Sequence, residues 1–461
     1  VTTTGTATGT TKLPARLVVP IALGTLLQAL NSSMIAVALV QIRDVFHAGT
    51  SASWLISGLY LATAVGAPTM GRIADVIGPR KVFLGGLVVI AVAATAAPFA
   101  PNIGTLVLCR VLLGIGTSAP YPAGLAMIRS AADRLGLDGV SGGLSVLTVA
   151  GQVAVAFGPT LGGLLVQVAG WPAIFLVNLP FVLVAGFFAL RYLPRDGERP
   201  NAGVRAVLHR LDVPGLLLFS AAMTALMLVL LSLAGRPQWY LLPVLAVVAV
   251  CFVVRERRAR EPFVDVRLLV ANRPLSFTYL RTTVTYLAFY SIFYGVPAWL
   301  EQGRGLAAGT AGLVMLPLAG VGVITTTVAA RMIRRRGPRV PLVIGSVVMT
   351  VAALVLTRVD STAPLLGLVA LSAVLGLPNG FNSMGNQASL YDAAPAGQMG
   401  TASGLYRSSQ YVGANLAAAL LELTFAGPST DPGLHRSAVA ILAIAVVLAV
   451  TAVTSKHLRR S

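Results

Sequence analysis

Val149-Ala150-Gly151-Gln152-Val153-Ala154-Val155-Ala156-Phe157-Gly158-Pro159-Thr160-Leu161-Gly162-Gly163 lies inside a longer apolar run of membrane-spanning length. Proline removes a backbone donor, and glycine lets a neighbouring helix approach with no side chain between them. In a bilayer such breaks are tolerated where adjacent helices pack closely and re-satisfy the backbone. The stretch therefore reads as a bent, tightly packed transmembrane helix suited to motion. A packing helix with no such role is the competing reading.

The rest of the chain extends this pattern. Its 461 residues are 56% hydrophobic and only 11% charged, with a mean hydropathy of +0.83. That balance excludes an ordinary soluble domain and implies an all-α polytopic membrane protein. A window of about 19 residues finds roughly fourteen spans. They cover 16–40, 53–74, 81–100, 104–128, 140–167, 172–191, 212–235, 238–254, 275–300, 308–330, 338–357, 363–386, 398–425 and 435–454.

The net charge of +19 would suggest nucleic acid in a soluble chain. Here the arginines fall between apolar runs, so they report topology and no nucleic-acid partner is expected. Arg72, Arg80, Lys81, Arg129, Arg134, Arg195, Arg255, Arg257, Arg258, Arg260, Arg334, Arg335 and Arg336 share one side. The other side carries little beyond Arg43, Arg236, Arg304, Arg358 and Arg436. The positive-inside rule then puts both termini in the cytoplasm. Cys109 and Cys251 lie within apolar runs, and His47, His209, His435 and His457 lie in loops or tails without ligand spacing. Neither a disulfide nor a metal site nor any cofactor is expected. The Thr- and Gly-rich start reads as a tail before a retained first helix, not as a cleaved signal. The dominance of arginine and the Ala/Val/Gly usage suggest a GC-rich bacterium and its plasma membrane.

Gly78-Pro79-Arg80 follows the second span, and Gly337-Pro338-Arg339 follows the tenth. Two six-helix halves with two extra spans between them would give this spacing. The expected organisation is a disordered tail at 1–15, a six-helix bundle at 16–191 and a cytoplasmic linker at 192–211. An extra helix pair follows at 212–254 and a second linker at 255–274. The second bundle covers 275–454, and 455–461 form a cytoplasmic tail.

Gly71-Arg72-Ile73-Ala74-Asp75-Val76-Ile77-Gly78-Pro79-Arg80-Lys81 resembles the major facilitator signature between helices two and three. Gly71 permits close helix approach, Asp75 can accept hydrogen bonds at the positive end of another helix, and Arg80 anchors at the surface. The resemblance implies a cytoplasmic latch; an ordinary charged turn is the alternative. Arg110, in Leu106-Val107-Leu108-Cys109-Arg110-Val111-Leu112-Leu113-Gly114, is similar to the fourth-helix motif, which the family associates with proton transfer. A structural charge bracing the gate is the equal alternative. The run around Gly158 and Pro159 is similar to the antiporter motif of the fifth helix. Trp171-Pro172-Ala173-Ile174-Phe175-Leu176-Val177-Asn178-Leu179-Pro180 and Leu211-Asp212-Val213-Pro214-Gly215 resemble the fourteen-helix drug:proton antiporter (EmrB/QacA-like) branch. The resemblance runs nearly end to end and implies the major facilitator fold.

One departure bears on coupling. In Leu30-Asn31-Ser32-Ser33-Met34, Asn31 stands where the family pattern usually has an aspartate. An amide cannot titrate, so that acid's proton role does not carry over. Glu422 and Glu301 remain near the outer ends of their spans, and Glu422 is the candidate proton carrier; surface exposure is the alternative for both. Tyr286, Phe289, Tyr290, Phe293 and Tyr294 share one helix face by their three- and four-residue spacing. The expected substrate-binding set is Gln28, Asn31, Gln152, Arg281, Tyr290, Asn382, Arg407 and Gln410. With Arg281 and Arg407 facing it, the cavity would be neutral to positive and suited to neutral or anionic metabolites.

The expected function is a monomeric secondary transporter, not an enzyme, exporting drugs or hydrophobic metabolites by alternating access with proton antiport. Its partners would be a small-molecule substrate, protons and the bilayer. The alternatives are an uncoupled or differently coupled exporter and, more distantly, a transport-inactive membrane sensor. No phosphate-binding loop, metal cluster or paired acids point to an enzyme or primary pump.

Overall fold

The computed structural model describes residues 13–48, 54–135, 141–196, 210–233, 237–395, 397–425 and 430–455. Residues 1–12, most of the expected first linker, the loop holding Gly235 and Arg236, and residues 456–461 lie outside the described residues. Those described form an all-helical protein.

The helices in the first half are α1 (Ala15–Phe46), α2 (Trp54–Ile77), α3 (Pro79–Ala96), α4 (Ile103–Ser118), α5 (Pro120–Leu135), α6 (Ser141–Ala169), α7 (Ala173–Leu176) and α8 (Asn178–Tyr192). Then come α9 (Val213–Leu233), α10 (Leu241–Arg258) and the short α11 (Val266–Ala271). The second half holds α12 (Arg273–Gln302), α13 (Ala308–Arg336), α14 (Arg339–Leu356), α15 (Leu365–Ala393), α16 (Met399–Phe425) and α17 (Asp431–Thr454). Among the described residues, nine stretches are long and apolar enough to cross a membrane by length and composition. The second helix of the central pair, α10, is not one of them: it ends in Arg255-Glu256-Arg257-Arg258.

Proline marks several boundaries. The fourth span predicted from sequence is two helices, with Pro120 opening α5 directly after α4 ends at Ser118. A proline ring cannot follow a regular helical turn without losing a hydrogen bond, so the ladder is interrupted there within one continuous span, Ile103–Leu135. His435, expected in a loop, lies in the first turns of α17, where its ring meets the Val359 carbonyl at 2.7 Å.

Packing repeats across the two halves. In the first, α1 packs on α6, α2 on α4, and α3 on α8; in the second, α12 packs on α16, α13 on α15, and α14 on α17. The seam between the groups is built by α2 against α16 and α6 against α13, which the same exchange of halves interconverts. This is the arrangement expected of two repeats related by an axis along the membrane normal. The α9–α10 pair leans on the α2–α16 seam, with Met227 and Leu230 packed near Ala64 and Tyr411. Outward faces are apolar, with Val88, Leu183, Leu313 and Leu366 among the exposed side chains. In water such a surface would associate; in lipid it is the natural exterior.

Candidate functional site

Helix α16 brings the site together. Its first turn receives Asp75 from α2: the carboxylate accepts from the Gly400 N–H at 3.0 Å, the Thr401 N–H at 2.8 Å and the Thr401 hydroxyl at 2.7 Å. A carboxylate at a helix N-terminus satisfies donors that have no partner within the helix and favours the dipole. The approach requires glycine on both sides. A Cβ on Gly71 would overlap the Gly400 carbonyl oxygen, and one on Gly404 would strike the Ala67 carbonyl. Arg80 donates to the Leu190 carbonyl at 2.7 Å, while its own N–H and that of Lys81 reach Asp196 at 3.0 and 3.1 Å. These contacts of Arg80 and Lys81 stay within the first group; the two groups are joined by Asp75 on α16 and by Arg129, which donates to the Tyr391 carbonyl at 2.8 Å.

Further along the same seam lies a cavity of about 140 Å³. Gln28, Gln152, Tyr290, Arg407 and Gln410 come together in its wall, from α1, α6, α12 and α16. The Arg407 guanidinium lies over Tyr121, 3.9 Å from the ring centroid, and donates to Gln410 Oε1 at 3.2 Å. Tyr286, Phe289, Tyr290 and Phe293 line one wall, with Tyr286 and Tyr290 centroids 5.9 Å apart and Phe289 and Phe293 5.6 Å apart. Tyr60 and Tyr411 face the same space, 5.8 Å apart.

Three expected binding residues lie elsewhere. Asn31 is buried in a reciprocal amide pair: its Nδ2 donates to Asn178 Oδ1 at 2.5 Å and its Oδ1 accepts from Asn178 Nδ2 at 3.2 Å. Its side chain is thus engaged between α1 and α8, away from the cavity. Arg281 donates to Asn386 Oδ1 at 2.5 Å and does not line the cavity. Asn382 is buried against Gly345, with neither amide atom hydrogen-bonded within the protein.

The proton-coupling candidates also separate. Arg110 is buried and donates to the Leu55 carbonyl at 3.1 Å and the Asn31 carbonyl at 3.0 Å, tying α4 to α1 and α2. Its guanidinium stands 5.8 Å from the Phe175 centroid. Glu422 is exposed on the outer face of α16 beside exposed Leu423, and Glu301 is exposed at the end of α12. Around the motif in α6, a Cβ on Gly158 would collide with the Ser33 side chain of α1, and one on Gly162 would lie 3.1 Å from Met34 Cα. The helix runs unbroken from 141 to 169, and the Pro159 side chain lies outside the described residues.

Sequence reasoning missed Tyr60, Tyr121, Tyr406 and Tyr411 as cavity residues. Tyr406 and Tyr411 flank Arg407 and Gln410 on α16, so helical spacing carried a signal for them. Tyr60 and Tyr121 carried none, because no other residue of α2 or α5 lines the cavity among the described residues.

The sequence profile of the Major Facilitator Superfamily matches residues 21–418. The chain is 36% identical over 407 residues to the uncharacterised MFS-type transporter YwoD of Bacillus subtilis, covering 88% of this chain and 89% of that protein. It is 29% identical over 436 residues to the tetracenomycin C resistance and export protein of Streptomyces glaucescens, covering 92% and 78%. Among solved structures, the human organic anion transporter MFSD10 (TETRAN) superposes with a TM-score of 0.67 at 16% identity, covering 95% of this chain and all of that one. At that identity the likeness speaks for the fold. Profile, relatives and repeated helix pairing agree: the chain is a multi-pass membrane transporter, not an enzyme, and belongs to the major facilitator superfamily.

Proposed function

We propose that this transporter exports drugs or hydrophobic secondary metabolites by alternating access, with its two helical groups rocking about the tyrosine-lined cavity. The observation that carries this reading is the cavity's position on the seam between the groups, with one end closed by Asp75 on α16. Under the positive-inside rule that end and both termini are cytoplasmic, in the plasma membrane of a bacterium. The latch then closes the cytoplasmic side, and release of Asp75 accompanies loading. The α9–α10 pair supports membership of the fourteen-span drug:proton antiporter branch, with two six-helix bundles flanking it. The resistance and export function named for the Streptomyces relative supports the direction. A monomer suffices, since the cavity is complete within one chain.

Proton antiport is the coupling that the family resemblance supplies, with Glu422 as carrier. A specific observation favours the second reading, transport coupled differently or not at all. The cavity wall contains no Asp or Glu among the described residues, Asn31 is paired with Asn178, and Glu422 faces outward. Proteoliposome flux with an imposed pH gradient tests both. Flux indifferent to the gradient, and unchanged in Glu422→Gln, is the expected result. Uphill movement that follows the gradient and vanishes in Glu422→Gln would restore the antiporter.

A further inference from the structure

The cavity's chemistry is one-sided. Among the described residues its only charged lining group is Arg407, and no acid pairs with it. Its Nη1 uses an amide oxygen, its guanidinium lies over Tyr121, and its Nε is buried without a partner in the protein. Two further lining residues each carry an amide nitrogen in that condition, Gln28 Nε2 and Gln152 Nε2. All three are N–H donors, and no lining acceptor is left in the same state. A guanidinium held within a membrane-embedded interior is destabilised until an anion or a set of acceptors meets it. The residues carrying these donors share the cavity with two adjoining aromatic groups, Tyr286 to Phe293 and Tyr60 with Tyr411. Flat rings stack favourably on such surfaces.

We propose that the substrate is an aromatic anion: a flat ring system bearing a carboxylate, sulfonate or ionised phenol. Its charged oxygen sits on Arg407 and the amides of Gln28 and Gln152, and its rings lie against the aromatic lining. This deepens the exporter reading and rests on it. The anion's own charge then supplies a driving force. Moving one negative charge out of an inside-negative cell is favoured by roughly 50-fold per 100 mV. An exporter of anions therefore needs no titrating acid in its cavity, in keeping with the asparagine at position 31.

The test uses the purified full chain in proteoliposomes under an imposed potassium diffusion potential, inside positive, with no pH gradient. Three probes share one ring system: naphthalenesulfonate, the neutral naphthalenesulfonamide and cationic naphthylmethyl-trimethylammonium. The sulfonate is expected to accumulate, to follow the potential when its sign is reversed, and to outpace the other two by on the order of tenfold. Arg407→Gln removes that preference by a similar factor, while Arg407→Lys keeps part of it, since it retains charge but not the planar stack. Equal thermal unfolding of the two variants separates loss of recognition from loss of fold. Preferential movement of the cation, or sulfonate flux unchanged in a folded Arg407→Gln, would overturn the anion assignment and leave the exporter reading standing. Movement of none of the three by the folded wild type would overturn both.

Discussion

At residue 75 a carboxylate ties the two halves together at one end of the seam. Both oxygens of Asp75 accept hydrogen bonds, so Asp75→Asn exchanges one acceptor for a donor facing an N–H of Gly400 or Thr401. A partly buried donor without an acceptor costs about 1–3 kcal/mol, enough to shift a two-state gate by one to two orders of magnitude. The expected outcome is faster thiol labelling of a cysteine placed at Met127, buried in the cleft beside Asp75, with Cys251 replaced. Labelling at the wild-type rate would show that the latch does not hold that end shut. Asn31 carries the complementary lesson. Its identity was legible and its loss of a titratable proton followed, but its partner Asn178 lies 147 positions away. Nothing in either local sequence announces that pairing.

Among the elements, the α9–α10 pair owes its foot to three charged side chains. Asp212, with a left-handed φ of 51°, caps the start of α9 and accepts from Arg255 and from the Phe263 N–H at 3.0 Å. Glu256 is buried beside it and accepts from the Val264 N–H at 2.9 Å, leaving its Oε1 without a hydrogen bond. Both carboxylates crowd Gly215, where a Cβ would overlap them. Burial, with Asp212 adding to it, pushes the Glu256 carboxyl from 4.5 up to about 7. Below pH 4.5 this group is protonated whether the chain is folded or unfolded, and it imposes no penalty. Between 4.5 and 7 the unfolded chain releases the proton while the folded one keeps it, so stability falls as pH rises and the loss is complete above the folded value. Thermal unfolding of the purified protein from pH 4 to 8 is expected to show that decline. Glu256→Gln, always neutral, should flatten it; an unchanged slope would mean the carboxyl titrates normally.

For the whole molecule, the repeated helix pairing makes the seam the place where the two groups can part. The hairpin α9–α10 rests on that seam without belonging to either set of pairs. If it crosses the bilayer twice, cysteines introduced at Gly235 and Arg260 label from opposite sides of the membrane. Labelling from one side would remove the hairpin as a spanning pair.

The sequence by itself determined that this protein lives in a membrane, where most of its helices lie, and which family it joins. Those properties depend on the length of apolar runs and on residues a few positions apart, such as Gly71 with Asp75. The tertiary structure alone decided which polar side chains share a cavity. Gln28, Gln152, Tyr290, Arg407 and Gln410 meet there, joined by Tyr60 and Tyr121, whereas Asn31, Arg281 and Asn382 do not line it and Glu422 faces outward. Each helix's rotation about its axis selects the face it presents. That rotation is set by close approaches such as Gly158 on Ser33 and Gly404 on Ala67, between segments remote in the chain.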